Sequence, residues 1–347
     1  MAKTLWAGLL GVSILAAIPL FIRLDALPLF IFDEGRLANN ALEMVENGNW
    51  IVTHFEGEPD LWNTKPPLMI WLQALSMKLL GADLLAVRLP AALAGFVTIL
   101  ALFLFANRHT GSSLASWTAS LILLTTPGYI TTHSTRTGDY DALLTLCSTL
   151  FLFQFFGGMM EEDAARKRRR LWLAMGFFAL GVLTKGIVIF LFSPGLLVFL
   201  AASRKPRALL REPHFYYATL AAAGVVALWY LGREWAQPSY LEAVVQNELG
   251  GRFLAVTEGH KGPWYFYLQN LWKSEFLPWI GLIPLAVWFA FRDPSAMRRP
   301  LWGFLLIQSG FFLLILSLAK TKLNWYAIPV FPLLSLAAGG SLGLLLD

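Results

Sequence analysis

The sequence predicts an all-α protein that crosses a membrane many times. Hydrophobic residues make up 57% of the 347 residues, charged residues only 14%, and the mean hydropathy is +0.59. A soluble domain carries about 25% charged residues. The 14 Trp and 26 Phe add bulky apolar side chains that suit contact with lipid. The net charge of +5 comes from basic residues between the apolar runs, so we expect no nucleic-acid partner.

Ten apolar runs have about the length that the hydrocarbon core of a bilayer requires. We predict that the first is a retained span and not a cleaved signal peptide, because it is long and Arg23–Pro28 is a poor cleavage site. Leu68–Leu80 is too short to span and is predicted to lie in the interface. The predicted spans are 5–22, 87–106, 114–131, 141–159, 171–184, 186–202, 215–232, 275–291, 301–318 and 327–346.

The basic residues predict the orientation. With Lys3, a few short connections hold 14 of the 27 basic residues, and the positive-inside rule places such loops in the cytoplasm. The other connections are the long first outer loop, 23–86, a second large outer loop, 233–274, the segment 132–140 and two short joints. Most of the remaining polar residues lie there. We therefore predict a plasma (inner) membrane protein with cytoplasmic termini and a site on the periplasmic or extracellular face.

The first outer loop contains an acidic pair and a lysine at two predicted helix starts. Asp33 and Glu34 begin a predicted helix, Asp33–Met44, with Asp33 as its N-cap and Asn47-Gly48-Asn49 as its stop. Lys65 precedes two prolines that can start a second helix, Leu68–Leu80, ended by Gly81. Helix N-termini and a lysine together attract phosphate.

Four further polar clusters fall on the same predicted face. Carboxylates can act as general bases, and Lys, Arg and Tyr can hold a phosphate leaving group. With apolar spans beside them for a lipid tail, these clusters predict transfer of a group from a lipid phosphate. Their candidate residues are Arg136, Asp139 and Asp141; Lys185; Glu248, Arg252, His260 and Lys261; and Lys320, Lys322 and Tyr326.

Two other functions fit the same composition. A transporter or flippase of lipid-linked sugars would place polar residues and broken helices at mid-depth in its spans, where this sequence has few. A non-catalytic lipid-binding component would share the lipid site and would not need Asp33. The single cysteine, Cys147, lies in an apolar run and is predicted to be a small buried hydrophobe.

A series of motifs resembles the membrane glycosyltransferases of the C-type fold. The resemblance extends to the bacterial relatives of the dolichyl-phosphate-mannose protein mannosyltransferases and of the aminoarabinose lipid A transferase. The motifs follow the order of the family and cover essentially the whole chain, taken here as a single transmembrane domain, 1–347. They are FDEGR (32–36), GNWIV (48–52), TKPPLMIWL (64–72), VRLPAALAG (87–95), TRTGDYDALLT (135–145), GVLTKG (181–186), GHKGPWYFY (259–267) and KTKLNWYAIP (320–329).

The resemblance implies an inverting glycosyltransferase with a polyprenyl-phosphate sugar donor and a lipid, glycan or protein acceptor. It implies that Asp33 is the base, with Glu34 and Arg36 as its neighbours and Asp141, or else Asp139, as the second acidic residue. It also implies that Lys65 meets the lipid phosphate and that Lys322 and Tyr326 lie near it. The chain ends just after the tenth predicted span, whereas relatives usually continue with more spans and often a soluble domain, so we expect a short member or a missing C-terminal part.

One departure from the family concerns metal. The aminoarabinose enzyme has an acidic metal ligand immediately before the lysine of its K-P motif, and this chain has Thr64 there. The paired histidine corresponds to His260, which cannot hold a zinc ion alone because zinc takes about four ligands. We therefore expect no required metal or cofactor, with Thr64 giving no support to a divalent cation.

Overall fold

The computed structural model describes residues 2–131, 133–202, 208–251, 259–295 and 298–347. In these residues, 7 helical stretches are long and apolar enough to cross a membrane. The number is 8 if Phe266–Glu275 and Trp279–Arg292, which meet at 110°, form one broken span. The protein is therefore a polytopic membrane protein, as predicted, although the number of long helices falls below the ten predicted spans.

The α-helices follow one another with short 3₁₀ and π segments at several joints. They are α1 (Ala2–Phe21), α2 (Asp33–Asn47), α3 (Leu68–Leu80), α4 (Leu84–Thr110), α5 (Ser113–Leu124), α6 (Pro127–Ile130), α7 (Tyr140–Met160), α8 (Ala164–Lys185), α9 (Ser193–Ala202), α10 (Pro213–Ala236), α11 (Tyr240–Val244), α12 (Phe266–Asn270), α13 (Ile283–Arg292), α14 (Arg299–Leu318) and α15 (Phe331–Leu346). The 3₁₀ segments are Gly186–Phe192, Ala208–Arg211, Trp279–Leu282 and Asn324–Val330, and the π segments are Val245–Gly251 and Leu271–Glu275.

The first loop contains the two predicted helices and one element that was not predicted. α3 has the predicted bounds, Leu68–Leu80, followed by Gly81. α2 runs on to Asn47 and ends at Gly48, whose φ of 72° favours glycine, while its N-cap is Phe32 and not Asp33. Between the helices, the strands β1 (His54–Phe55) and β2 (Glu58–Pro59) form an antiparallel hairpin. Strands of two residues are too short to show the alternation of apolar and polar residues from which strands are predicted.

The chain reverses at Gly186, between α8 and the segment that leads into α9. At this point Lys185 contacts Asp141 at the start of α7. Further on, the Phe199 ring lies 6.5 Å from that of Phe156, near the other end of α7. The apolar stretch Ala164–Ala202 therefore folds into two antiparallel segments. They correspond to the separate predicted spans 171–184 and 186–202. The third predicted span differs: α5 has only 12 residues and is followed by the short α6.

Small residues let the last helix approach the middle of the bundle closely. A Cβ atom on Gly339 would lie 2.5 Å from the backbone nitrogen of Ala119, and one on Gly343 would lie 2.4 Å from the Cα atom of Ala115. α15 and α5 thus pack backbone against backbone, in the manner of small-residue contacts between membrane helices. This packing fixes the preceding segment, Asn324–Val330, against the start of α7, where the polar residues gather.

Candidate active site

Asp33 is the first residue of α2 and faces open space. Its side chain is 41% exposed, in contrast to the adjacent Glu34, which is fully buried. Asp33 borders two neighbouring spaces that share lining residues. One is a narrow polar space, here called the acidic cleft, with a volume of about 20 Å³, which is room for about one water molecule. The other is an open space of about 990 Å³, here called the aromatic cavity. Asp33 therefore lies where a polar group and a large apolar group can meet.

The acidic cleft brings together residues from distant parts of the chain. They come from α2, the turn before α3, the start of α7, the end of α8 and the segment before α15. Six residues predicted from the sequence line this one cleft. The full lining is Asp33, Arg36, Leu37, Trp62, Asn63, Lys65, Asp139, Tyr140, Asp141, Lys185 and Trp325.

The aromatic cavity has an apolar wall and a few polar groups. Phe32 and Ile31 are 87% and 86% exposed, so this wall can accept an apolar ligand. Besides Asp33 and Arg36, two further residues predicted from the sequence, His260 and Tyr326, line this cavity, as do the unpredicted His133 and Thr321. Arg36, Trp62 and Trp325 line both spaces, as Asp33 does.

Glu34 is held in a buried ion pair with Arg88 from α4. Arg88 Nε and Nη2 donate to the two carboxylate oxygens at 2.7 and 2.9 Å, and the amide of Gly138 donates to Oε1 at 2.8 Å. Burial acts to raise the pKa of Glu34, but these hydrogen bonds and that from the Phe30 amide outweigh it, so the pKa lies below its usual value. Glu34 thus joins α2 to α4 and to the loop before α7, and does not line the acidic cleft.

Arg36 makes a bidentate pair with Asp60. Nη2 and Nε lie 2.7 and 2.9 Å from the two oxygens of that carboxylate, and the guanidinium also lies over the rings of Phe55 and Trp62. Burial acts to raise the pKa of Asp60, but hydrogen bonds from Arg36, Asn40 and the backbone lower it below its usual value. The pair attaches the turn before Lys65 to α2, so Arg36 reaches the cleft with its charge already balanced.

Asp141 and Lys185 form a second buried pair. Lys185 Nζ lies 2.5 Å from Asp141 Oδ1, and both side chains are almost fully buried. Lys185 Nζ also lies 5.2 Å from the centre of the Tyr326 ring. The pair holds the end of α8 against the start of α7 at the floor of the cleft. The pair also explains how a buried lysine is accommodated at this end of the bundle.

His133 is a site residue that the sequence analysis missed. Its ring stacks on Trp325 with centroids 3.8 Å apart, and Nδ1 lies 3.5 Å from Asp139 Oδ2 and 3.9 Å from Asp33 Oδ2. Burial acts to lower the pKa of His133, but Asp139, Asp141 and Asp33 outweigh it and raise the pKa above its usual value. The available signal was its position, six residues before Asp139 in the same short loop.

Lys65 contacts Glu248. The same carboxylate also contacts Thr64, the residue at which this chain departs from the family motif. Lys65 Nζ and Thr64 Oγ1 each lie 3.3 Å from Glu248 Oε1. Lys65 Nζ also lies 5.8 Å from the centre of the Tyr140 ring. A carboxylate from the π segment Val245–Gly251 therefore stands beside Thr64, although the chain has no acidic residue immediately before Lys65.

Several predicted site residues are placed away from the acidic cleft. Lys322 is buried and donates from Nζ to the carbonyls of Leu316, Ser317 and Ala319, so it caps the end of α14. Arg136 donates to the carbonyls of Pro19, Ile22 and Arg23 and caps the end of α1. Lys320 is exposed and lines neither space, and Arg252 lies outside the described residues.

One group of side chains could hold a metal ion. The ligand atoms of Asp33, His133 and Asp139 lie within 4.8 Å of one another, and two carboxylates with one imidazole suit a divalent cation. This group differs from the Thr64 and His260 positions considered from the sequence, neither of which belongs to it. A protonated His133 would instead supply a positive charge between the same two carboxylates.

The described residues have the C-type fold that membrane glycosyltransferases of known structure share. The described structure superposes on crystal structures of ArnT from Cupriavidus metallidurans. With undecaprenyl phosphate bound, the TM-score is 0.85 at 25% sequence identity, covering 96% of this chain and 59% of that one. An oligosaccharyltransferase from Archaeoglobus fulgidus shares the fold with a TM-score of 0.62 at 12% identity, covering 96% of this chain and 50% of that one.

Sequence comparisons identify nearer relatives. Residues 64–230 match the family described as dolichyl-phosphate-mannose-protein mannosyltransferase. An undecaprenyl phosphate-alpha-4-amino-4-deoxy-L-arabinose arabinosyl transferase from Aeromonas salmonicida is 31% identical over 95% of this chain and 60% of its own length. An uncharacterized protein from Aquifex aeolicus is 28% identical over 88% of this chain and 58% of its own. The chain is thus similar in sequence to both groups, and it spans about 60% of the length of these curated relatives.

Proposed function

We propose that this protein transfers a sugar from a polyprenyl-phosphate donor to the hydroxyl of an acceptor. The observation that carries the proposal is the position of Asp33, an accessible carboxylate between a cleft with cationic side chains and a large aromatic cavity. The relatives support the donor, since one is named for an undecaprenyl phosphate-linked sugar and another was crystallised with undecaprenyl phosphate. The aromatic cavity offers the apolar surface that a polyprenyl chain requires.

In the proposed reaction, Asp33 takes the proton of the acceptor hydroxyl. The acceptor oxygen forms a bond to the anomeric carbon of the sugar while the bond from that carbon to the phosphate oxygen breaks. Polyprenyl phosphate leaves with the electron pair of the broken bond. One displacement at the anomeric carbon inverts its configuration. A positioned base contributes about 10²–10⁴-fold to such a step, so the reaction depends strongly on Asp33.

Lys65 is the cation that best suits the leaving phosphate. Arg36 and Lys185 are held at 2.7 and 2.5 Å by Asp60 and Asp141, whereas the contact of Lys65 with Glu248 is longer, at 3.3 Å. Lys65 also stands just before α3, and the positive end of a helix favours an anion. We propose that the donor phosphate displaces Glu248 from Lys65. Lys322, with its ammonium bound to three carbonyls, is assigned to the fold instead.

We propose that His133 positions Asp33 and that the reaction requires no metal. A protonated His133 places a positive charge between Asp33 and Asp139, which would otherwise repel each other across the cleft. The stacked Trp325 fixes the plane of the imidazole. We further propose a lipid acceptor, by analogy with the aminoarabinose enzymes, and an acidic cleft that faces the periplasm or the exterior. The density of arginine at the opposite end of the bundle supports this orientation.

The test uses the full chain in membrane vesicles with labelled undecaprenyl-phosphate sugars and a lipid A acceptor. Wild-type protein should move label to the acceptor, and Asp33→Asn should reduce the rate at least a hundredfold. Glu46→Gln is the matched control, because Glu46 lies exposed on the same helix away from both spaces. Label that crosses the membrane without leaving its lipid would indicate a flippase. An Asp33→Asn variant with full transfer activity would refute the proposed base.

A further inference from the structure

Four arginines line a second polar cleft at the other end of the bundle, here called the arginine cleft. It has a volume of about 320 Å³ and is lined by Arg108, Gln154, Arg166, Arg169, Arg170 and Leu173. Arg108 lies near the end of α4, Gln154 near the end of α7 and the other three arginines in the first turns of α8. The acidic cleft lies at the start of α7 and the end of α8, so the two clefts are at opposite ends of the same helices.

The arginine cleft carries an excess of positive charge. Glu161 is shared by Arg108 at 3.3 Å and Arg170 at 3.6 Å, and Arg170 also donates to the side-chain oxygen Oε1 of Gln154. Across the described ranges, Arg166 and Arg169 form no ion pair with a carboxylate. Glu162 and Asp163 lie next to Glu161 in the chain, and Asp163 caps α8 by accepting from the Arg166 amide. In the sequence around the cleft, three carboxylates therefore accompany four arginines of the cleft and two more basic residues, Lys167 and Arg168.

An apolar groove begins where the arginine cleft ends. It has a volume of about 440 Å³, runs between α8 and α10, and shares Leu173 with the cleft. Among the described residues, and apart from the surrounding backbone of α8 and the two chain neighbours, no heavy atom lies within 4 Å of the position that a Cβ atom on Gly176 would take. The groove is therefore open at this point. Its lining is Trp172, Leu173, Gly176, Phe177, Ala179, Leu180, Leu183, Ala218, Ala221, Ala222 and Val225.

We infer that the arginine cleft and the apolar groove together bind one anionic phospholipid. Its phosphate would lie among the guanidinium groups, which match phosphate geometry and make strong charge-assisted hydrogen bonds. One acyl chain would follow α8 from Leu173 past Gly176 into the membrane. The groove favours a lipid over a soluble phosphate, because a soluble anion would leave the adjoining apolar surface unused. Basic pockets between membrane helices are suited to anionic head groups.

The test measures lipid binding to the purified full chain in detergent by native mass spectrometry. Phosphatidylglycerol should bind with one site and at least tenfold more tightly than phosphatidylcholine with the same acyl chains. Arg166→Gln together with Arg169→Gln should weaken phosphatidylglycerol binding about tenfold or more. Lys167→Gln together with Arg168→Gln removes the same charge from the same helix, outside the cleft, and should retain most of the binding. Equal losses in the two variants would show diffuse attraction and overturn the site.

The groove is tested separately by Gly176→Trp, which adds a bulky ring to the groove lining and leaves the four arginines of the cleft in place. Phosphatidylglycerol binding should fall at least fivefold, and inorganic phosphate should fail to displace the bound lipid. Displacement by millimolar phosphate, with no effect of Gly176→Trp, would identify a soluble-anion site and refute the lipid. Competition on the wild-type protein keeps the test informative even where a variant does not fold. All these outcomes are independent of sugar transfer at Asp33.

Discussion

Asp33 Oδ2 lies 3.9 Å from Nδ1 of His133, although the two residues are 100 positions apart in the sequence. The stacking of His133 on Trp325 and its contact with Asp139 hold the imidazole toward the carboxylate at the mouth of the aromatic cavity. The proposed base thus has a basic neighbour supplied by a short loop that the sequence presents only as a polar joint.

His133 should make sugar transfer sensitive to pH. Its pKa in the folded protein lies above the ordinary value of 6.5, so its charge is fully present below that value and is lost as the pH rises through the higher folded pKa. The stability that this charge contributes disappears in the same window. We expect the wild-type rate and melting temperature to decline as the pH rises through this window. The His133→Gln variant should transfer sugar about tenfold more slowly, at a rate that does not change with pH in the same window. His54→Gln, in the β hairpin, should keep the wild-type profile.

Asp33 and Glu34 are neighbours in sequence with different expected roles. Glu34→Gln breaks a buried ion pair and leaves Arg88 with a reduced partner, a change that typically costs about 3–5 kcal/mol when one member of the pair is lost. Asp33→Asn changes an exposed group and should leave the melting temperature within about 2 °C while abolishing transfer. Thermal unfolding in detergent measures the melting temperatures of both variants. Equal melting temperatures for the two variants would refute the structural role of Glu34.

Substitutions of Lys65 and Lys322 should have different effects, in contrast to the shared phosphate site expected from the sequence. Lys65→Ala should raise the donor KM about ten- to a hundredfold, since a charge-assisted contact is worth about 1.5–3 kcal/mol. Lys322→Ala leaves the carbonyls at the end of α14 without their donor and should lower the melting temperature. In folded protein its donor KM should stay close to that of the exposed control Lys320→Ala. A Lys322→Ala variant with normal stability and a raised KM would restore the shared site.

The proposed independence from metal has a direct test at Asp33, His133 and Asp139. Protein treated with EDTA and dialysed should retain its transfer rate, because a protonated His133 supplies the charge that a cation would bring. Added Mn²⁺ or Zn²⁺ should change the rate less than twofold. Loss of activity on chelation, with stoichiometric rebinding that His133→Gln abolishes, would show instead that the three side chains hold a cation.

The orientation can be checked by labelling single cysteines from outside the cell. A probe at Glu56, in the turn of the β hairpin, should react, and one at Arg168, on the arginine end of α8, should not. The native Cys147 is buried and gives a low background. The opposite labelling pattern would place the acidic cleft in the cytoplasm and remove the basis for a donor in the outer leaflet.

Local sequence signals gave the helices of the first loop and the polytopic class. The paired prolines and Gly81 delimit α3 because they act on the adjacent backbone alone. The bent pair around Pro278 and the short α5 were harder, because their hydropathy resembles that of a full span while their geometry depends on neighbouring helices.

For the site, the sequence identified the charged residues but not their partners. Asp33, Lys65, Asp139, Asp141 and Lys185 do share one cleft. Lys322 and Arg136 do not, because a lysine or arginine that caps a helix through backbone carbonyls looks the same in sequence as one that binds a ligand. Arg88 and Glu34 are 54 positions apart, and only the folded chain shows that their charges cancel.

α7 fixes the distance between the acidic cleft and the arginine cleft. Asp141 in its first turn borders the acidic cleft, and Gln154, 13 residues later, borders the arginine cleft. A helix of that length spans roughly 20 Å and does not stretch. A bilayer whose thickness does not match this fixed distance must deform, or the bundle must tilt, at a cost of a fraction of a kcal/mol per ångström of mismatch. If the proposed donor and the proposed phospholipid site are right, contacts in one leaflet should set the depth of the acidic cleft in the other. We then expect membrane thickness to affect the access of the donor lipid to Asp33.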